Sequence, residues 1–72
     1  MEVLTGRIYK HYKGDYYLVE AIAIHTETDD KMVIYRSLYG SGALYVRPYN
    51  LFIEKVNGVH RFELQDIESV KK

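Results

Sequence analysis

Glycine and proline punctuate this sequence so that a series of short, β-rich segments lies between them. The glycines fall at positions 6, 14, 40, 42 and 58, and the one proline is Pro48. Glycine tolerates positive φ and proline lacks a backbone donor, so both interrupt regular structure. Gly6-Arg7-Ile8-Tyr9 reads as a first strand, with Lys10-His11-Tyr12-Lys13-Gly14-Asp15 as the turn after it. Tyr16 to His25 is the longest β signal. Both of its alternating sets are largely apolar, which predicts a strand covered on two sides or one that bends across the core. Glu20-Ala21 and Ala23 would suit a helix, but the flanking turns and the Tyr, Val and Ile residues favour a strand.

The polar run Thr26 to Lys31 predicts a turn between antiparallel strands, with Met32 to Tyr39 returning. Gly40-Ser41-Gly42 breaks that strand, and Ala43 to Arg47 begins another. Pro48 cannot donate to a central ladder, so the chain should turn there, through a 3₁₀ turn over Tyr49-Asn50-Leu51. Phe52 to Val56 and Val59 to Leu64 flank Asn57-Gly58, the preferred pair for a type I′ hairpin turn. The polar tail 65–72 is expected to fray or to form a short helical turn. Five to six short antiparallel strands without a convincing helix predict an all-β small barrel or strongly bent sheet. One domain should span 1–72, its core about 6–64.

At 72 residues the chain buries only about 60% of its unfolded surface. The absence of cysteine removes disulfides and thiolate metal sites and suits a cytoplasmic location. No apolar run approaches the roughly 20 residues that cross a bilayer, and Met1-Glu2-Val3-Leu4-Thr5 does not resemble a secretory signal. No membrane partner is expected. Ten basic and ten acidic residues cancel, which argues against indiscriminate binding to nucleic acid while leaving a local basic patch open.

Eight tyrosines stand against two phenylalanines and no tryptophan. A core built only for packing favours Phe, Leu and Val, because a buried phenol needs a hydrogen-bond partner. The excess points to surfaces that are half apolar and half polar, as binding faces are. High β propensity is the competing explanation. Tyr9, Tyr17 and Tyr35 lie within strands and read as structural; Tyr12, Tyr39, Tyr45 and Tyr49 fall at turns and strand ends and read as surface.

The residues that carry chemistry fall into few patterns. His11, His25 and His60 lack a compact ligand spacing, so no metal site and no cofactor is expected. Ser37 and Ser41 lie in nothing like a nucleophile elbow, and Gly40-Ser41-Gly42 lacks the helix that phosphate loops need. His25 with Glu27 is the one acid–base pair worth testing, and a small barrel offers little volume to exclude water around it. The remaining set is polar and aromatic: His11, Tyr12, Lys13, His25, Glu27, Tyr35, Arg36, Tyr39 and Arg47. Tyrosine and arginine join apolar area to directional hydrogen bonds, as binding hot spots do. Arg36 and Arg47 could instead pair with Glu20 or Glu27 and hold the strands in register.

The runs Gly6-Arg7-Ile8-Tyr9-Lys10-His11-Tyr12-Lys13-Gly14, Ile24-His25-Thr26-Glu27-Thr28, Val33-Ile34-Tyr35-Arg36, Leu38-Tyr39-Gly40 and Val46-Arg47-Pro48 resemble a bacterial family, domain of unknown function 1653. The resemblance covers about residues 6 to 64 and implies an SH3-like β-barrel, with no activity attached. Near Tyr45 that family usually carries a bulkier aromatic, often tryptophan. Such a ring either stacks on a ligand or packs in the core.

The leading expectation is a non-enzymatic binding module whose loops 10–14, 25–30 and 39–47 face a protein or peptide partner. The first alternative is nucleic-acid or nucleotide binding, with Tyr12, Tyr39 or Tyr45 stacking on bases and Lys13, Arg36, Arg47 or Lys55 on phosphates. The second is small-molecule chemistry at His25 and Glu27. The chain is expected to be a monomer or a weak homodimer.

Overall fold

A computed structural model describes residues 1–66. The order of elements is β1 (Ile8–His11), β2 (Tyr16–Ile24), β3 (Lys31–Ser37), β4 (Leu44–Pro48), α1 (Tyr49–Phe52), β5 (Lys55–Val56), β6 (Val59–His60) and β7 (Phe62–Leu64). Five strands form one antiparallel sheet in the order β4-β3-β2-β1-β7, and β5 pairs with β6 in a second, two-stranded sheet. The fold is all-β, and β4 and β7 are the two edges of the larger sheet. Among the described residues no ladder joins those edges.

The ambiguous alternation of β2 has a physical cause. Val19 pairs with Tyr35 and Ala21 with Ile34, so Glu20 is an extra residue in β2, a β-bulge. Before it, Tyr17 and Val19 face the interior; after it, Ile22 does, opposite buried Val33. A bulge moves the apolar set from odd to even positions, so both sets look apolar in sequence. The strand bends across the core.

That core consists of Val3, Tyr9, Val19, Val33, Tyr35, Phe52 and Phe62, with Tyr17, Ile22, Tyr49 and Ile53 packed against it. Phe52 and Phe62 stack face to face with centroids 4.0 Å apart, and Tyr9 and Tyr35 each meet Phe52 edge-on. The buried phenols are satisfied. Tyr9, only 1% exposed, accepts the Leu4 N–H at 2.9 Å, and Tyr49 accepts the Val3 N–H at 2.9 Å. These two bonds pin residues 3 and 4 over the core, so Tyr49 is structural and not part of a binding surface.

Several boundaries differ from expectation. His11 belongs to β1, because its pairing with Phe62 continues the strand past Tyr9. After Pro48 the chain makes one α-helical turn, Tyr49–Phe52, that packs on β3 and β4 and sends Phe52 into the core. The Asn57-Gly58 turn has both residues at positive φ, 52° and 85°, as a type I′ turn requires. Its arms are shorter than predicted: after His60 the chain leaves β5, and Phe62–Leu64 joins β1 instead. Of the tail 65–72, residues 67–72 lie outside the described residues. No helix among the described residues is long and apolar enough to cross a membrane.

Candidate functional site

Strand polarity places most of the aromatic rings at one end of the sheet. Tyr17 is the second residue of β2, Ser37 closes β3 opposite it, and His11 closes β1. Around the Tyr17 ring stand Tyr35 at 5.3 Å, Phe62 at 5.6 Å, Tyr39 at 5.9 Å, and Tyr45 and His11 at 6.3 Å, nearly all edge-on. Edge-to-face rings at these separations attract through their quadrupoles. The floor is buried, being Tyr35 and Phe62, while the rim is open: Tyr39 is 47% exposed and Tyr45 42%.

Arg47 enters this hollow from β4. Its Nε–H donates to the Tyr35 hydroxyl at 3.3 Å, and its guanidinium lies 5.9 Å from the Phe62 ring centre. Among the described residues Arg47 has no ion-pair partner. Arg61, nearby, spends its charge on Glu54 at 2.6 Å.

His11 lines the same hollow, 4.9 Å from Phe62 and 4.7 Å from Tyr12. The Lys13 N–H donates to its Nδ1 at 3.1 Å, which leaves the neutral ring's proton on Nε2. Burial lowers the His11 pKa, and the charges of Arg61, Arg47 and Lys13 lower it further against the opposing pull of Asp15. Burial also raises the Tyr17 pKa, with its hydrogen bond to the Tyr39 hydroxyl as the next cause. The canceling charges of the chain are therefore sorted: cations gather round His11, whereas Glu27, Asp29 and Asp30 lie in the β2–β3 turn.

The predicted residues divide along these lines. His11, Tyr35, Tyr39 and Arg47 converge on the hollow. Tyr12 reaches it only through His11, 4.7 Å away, with Lys13 beside Tyr12, its Nζ 6.0 Å from that ring. His25 and Glu27 do not. They sit in the turn at the opposite end of β2, roughly 25 Å away at about 3.3 Å per strand residue. There His25 Nδ1 accepts the Glu27 N–H at 3.1 Å, a turn cap. Arg36 points to the other face, opposite Leu18 and Leu44, where its Nε–H donates to Glu20 at 2.6 Å and its NH1 to the Gly42 carbonyl at 3.0 Å. That hydrogen bond holds the Glu20 carboxyl below its usual range. Arg36 thus ties the β2 bulge to the β3–β4 turn.

Tyr17, Phe62 and Arg61 were not legible as site residues. Tyr17 shares the face of Val19, two positions on, and that was the available signal. A second concavity of about 430 Å³ lies beside the hollow, lined by Lys10, Tyr12, Lys55, Val59, His60 and Glu63, with His11 common to both.

Fold and surface together define a small all-β domain with an aromatic hollow at one end of its sheet and, beside it, an arginine without an ion-pair partner among the described residues. The chain belongs to the DUF1653 family, described as proteins of unknown function, whose model matches residues 7–64. It is similar to a DUF1653 protein from Bordetella bronchiseptica known from a crystal structure. The identity is 33%, the match covers 83% of this chain and 85% of that one, and the TM-score is 0.71. No curated protein matches the chain.

Proposed function

We propose that this domain is a partly open SH3-like barrel that serves as a non-catalytic binding module, with the Tyr17 hollow receiving a peptide segment of a protein partner. The observation that carries this reading is the open rim of Tyr39 and Tyr45 beside Arg47, a half-buried cation without a carboxylate partner among the described residues. Aromatic rings supply contact area at low entropic cost, and a guanidinium on a dry floor gives direction. A helical turn on one side and the β5–β6 hairpin on the other support the barrel-like form. His25, Glu27, Tyr35 and Arg36 share no pocket, so the acid–base alternative has no geometric support.

Phage-displayed peptides selected on the domain test it. Selected peptides should bind Tyr45→Ala and Arg47→Ala variants about tenfold or more weakly, a loss of about 1.4 kcal/mol. Equal binding to both variants, or no selectable peptide, sinks the reading. The cations round His11 favour one second reading, a nucleic-acid ligand stacked on Tyr39 and Tyr45. Binding of single-stranded RNA that collapses steeply with salt would select it.

A further inference from the structure

We propose that the peptide partner enters as an added β-strand on the free edge of β4, with an acidic side chain placed against Arg47; this rests on the peptide-binding reading above. The hydrogen-bond pattern of the edge is the starting point. Ser37 N–H donates to the Ala43 carbonyl, and the β3–β4 register runs Arg36 to Leu44, Tyr35 to Tyr45, Ile34 to Val46 and Val33 to Arg47. Hydrogen-bonded pairs alternate in an antiparallel ladder, so Tyr45 and Arg47 turn their backbone groups to β3. Leu44 and Val46 turn theirs outward. Nothing among the described residues pairs with them.

Over Leu44–Val46 the usual defences of an edge strand are absent, and they begin only at Arg47 and Pro48. Edges are blunted with charge, proline or a bulge. Leu44, Tyr45 and Val46 form three successive exposed apolar residues, with Leu44 52% and Val46 57% exposed. Pro48, which has no N–H, ends the edge and confines pairing to a short stretch. An antiparallel strand seated here exchanges up to four hydrogen bonds with Leu44 and Val46.

Side-chain chemistry then fixes what the strand carries. Leu44 and Val46 lie on the outer face, so the residues opposite them are apolar. Tyr45 and Arg47 lie on the inner face at non-hydrogen-bonded positions, where opposed side chains come closest. A carboxylate opposite Arg47 supplies a counter-charge that no described residue provides. A second copy of the chain meets this requirement poorly. Two-fold pairing of β4 on itself, with Leu44 opposite Val46 of the other copy, sets Arg47 against Ala43 and leaves both guanidiniums unmatched. Alternating apolar and acidic residues is the pattern that fits.

The probe is acetyl-Val-Glu-Val-Glu-Val-amide, titrated into the full chain by calorimetry and backbone NMR. Val46→Pro removes an outward N–H and leaves the β3–β4 ladder intact, and should weaken binding about tenfold or more. N-methylation of the peptide's valine amides, which needs no protein variant, should do the same. N-methylation of its glutamate amides, which face solvent, should change affinity less than about twofold, while glutamine in place of glutamate should weaken it. Binding that ignores both Val46→Pro and valine N-methylation but falls in Tyr45→Ala and Arg47→Ala overturns the edge mode and leaves the hollow as the site. Indifference to all four changes overturns both readings. No binding by this peptide, with a dimer that Val46→Pro dissolves, assigns the edge to a second copy instead.

Discussion

The phenolic oxygens of Tyr17 and Tyr39 lie 3.1 Å apart, joining the centre of the aromatic cluster to the loop that leaves β3. Burial and this hydrogen bond raise the Tyr17 pKa, so the folded chain holds that proton more tightly than the unfolded one. Stability from this source is full below the unfolded value of about 10 and declines as pH rises above it. Urea midpoints measured from pH 8 to pH 11 should fall more steeply for the natural chain than for Tyr17→Phe. Parallel curves would remove Tyr17 as the responsible group.

Tyr9 and Tyr49 give a second prediction, about the N-terminal segment. Each accepts one backbone N–H, from Leu4 and Val3 respectively, and Val3 itself is buried. Phenylalanine at either position keeps the ring and removes the acceptor, at a cost of about 1 kcal/mol. Hydrogen exchange should quicken at the Leu4 amide in Tyr9→Phe and at the Val3 amide in Tyr49→Phe, each with little change in β2. Unchanged exchange at both amides would show that apolar packing alone holds the segment.

These results mark what the residues disclosed in advance. The hairpin at Asn57-Gly58 was readable because type I′ geometry demands two positive φ values, which few residue pairs accept. The strands were readable from their turns. The bulge at Glu20 was not, because nothing about a single glutamate says that it will stand unpaired between Val19 and Ala21. Part of the binding set was legible for the same kind of reason: His11, Tyr12, Lys13 and Tyr39 are exposed or strand-end residues, unlike ordinary core. Arg36 and Arg47 could not be told apart, since which face a β3 or β4 residue takes depends on register. Tyr17 reads as structural because it lies in a long strand, yet at that strand's end its ring stands at the centre of the aromatic cluster.

The separation of the two arginines can be measured. Arg36 is tied to Glu20 and Gly42 on the face away from the hollow, whereas Arg47 lies within it. Arg36→Ala should lower thermal stability modestly and change peptide affinity less than about twofold, whereas Arg47→Ala should cost about tenfold. The two variants compared by calorimetry decide the matter. A larger loss with Arg36→Ala would place recognition on the outer face.

His11 offers the most direct view of the hollow in solution. Desolvation lowers its pKa first, and Arg61, Arg47 and Lys13 lower it further, with Asp15 opposing them. Protonating Nδ1 also forfeits the bond from the Lys13 N–H. The folded state therefore binds this proton less readily than the unfolded state does. Its contribution to stability is full above about pH 6.5 and is lost as pH falls through the window below that value. An NMR titration of the His11 ring should give a midpoint below the unfolded value. Arg47→Gln should move that midpoint up by removing a nearby positive charge, and Asp15→Asn should move it down. Seating a carboxylate-bearing peptide beside Arg47 should raise the midpoint in the same direction as Arg47→Gln. A His11 midpoint that none of the three changes moves would mean that Arg47 and Asp15 do not reach the ring through the hollow.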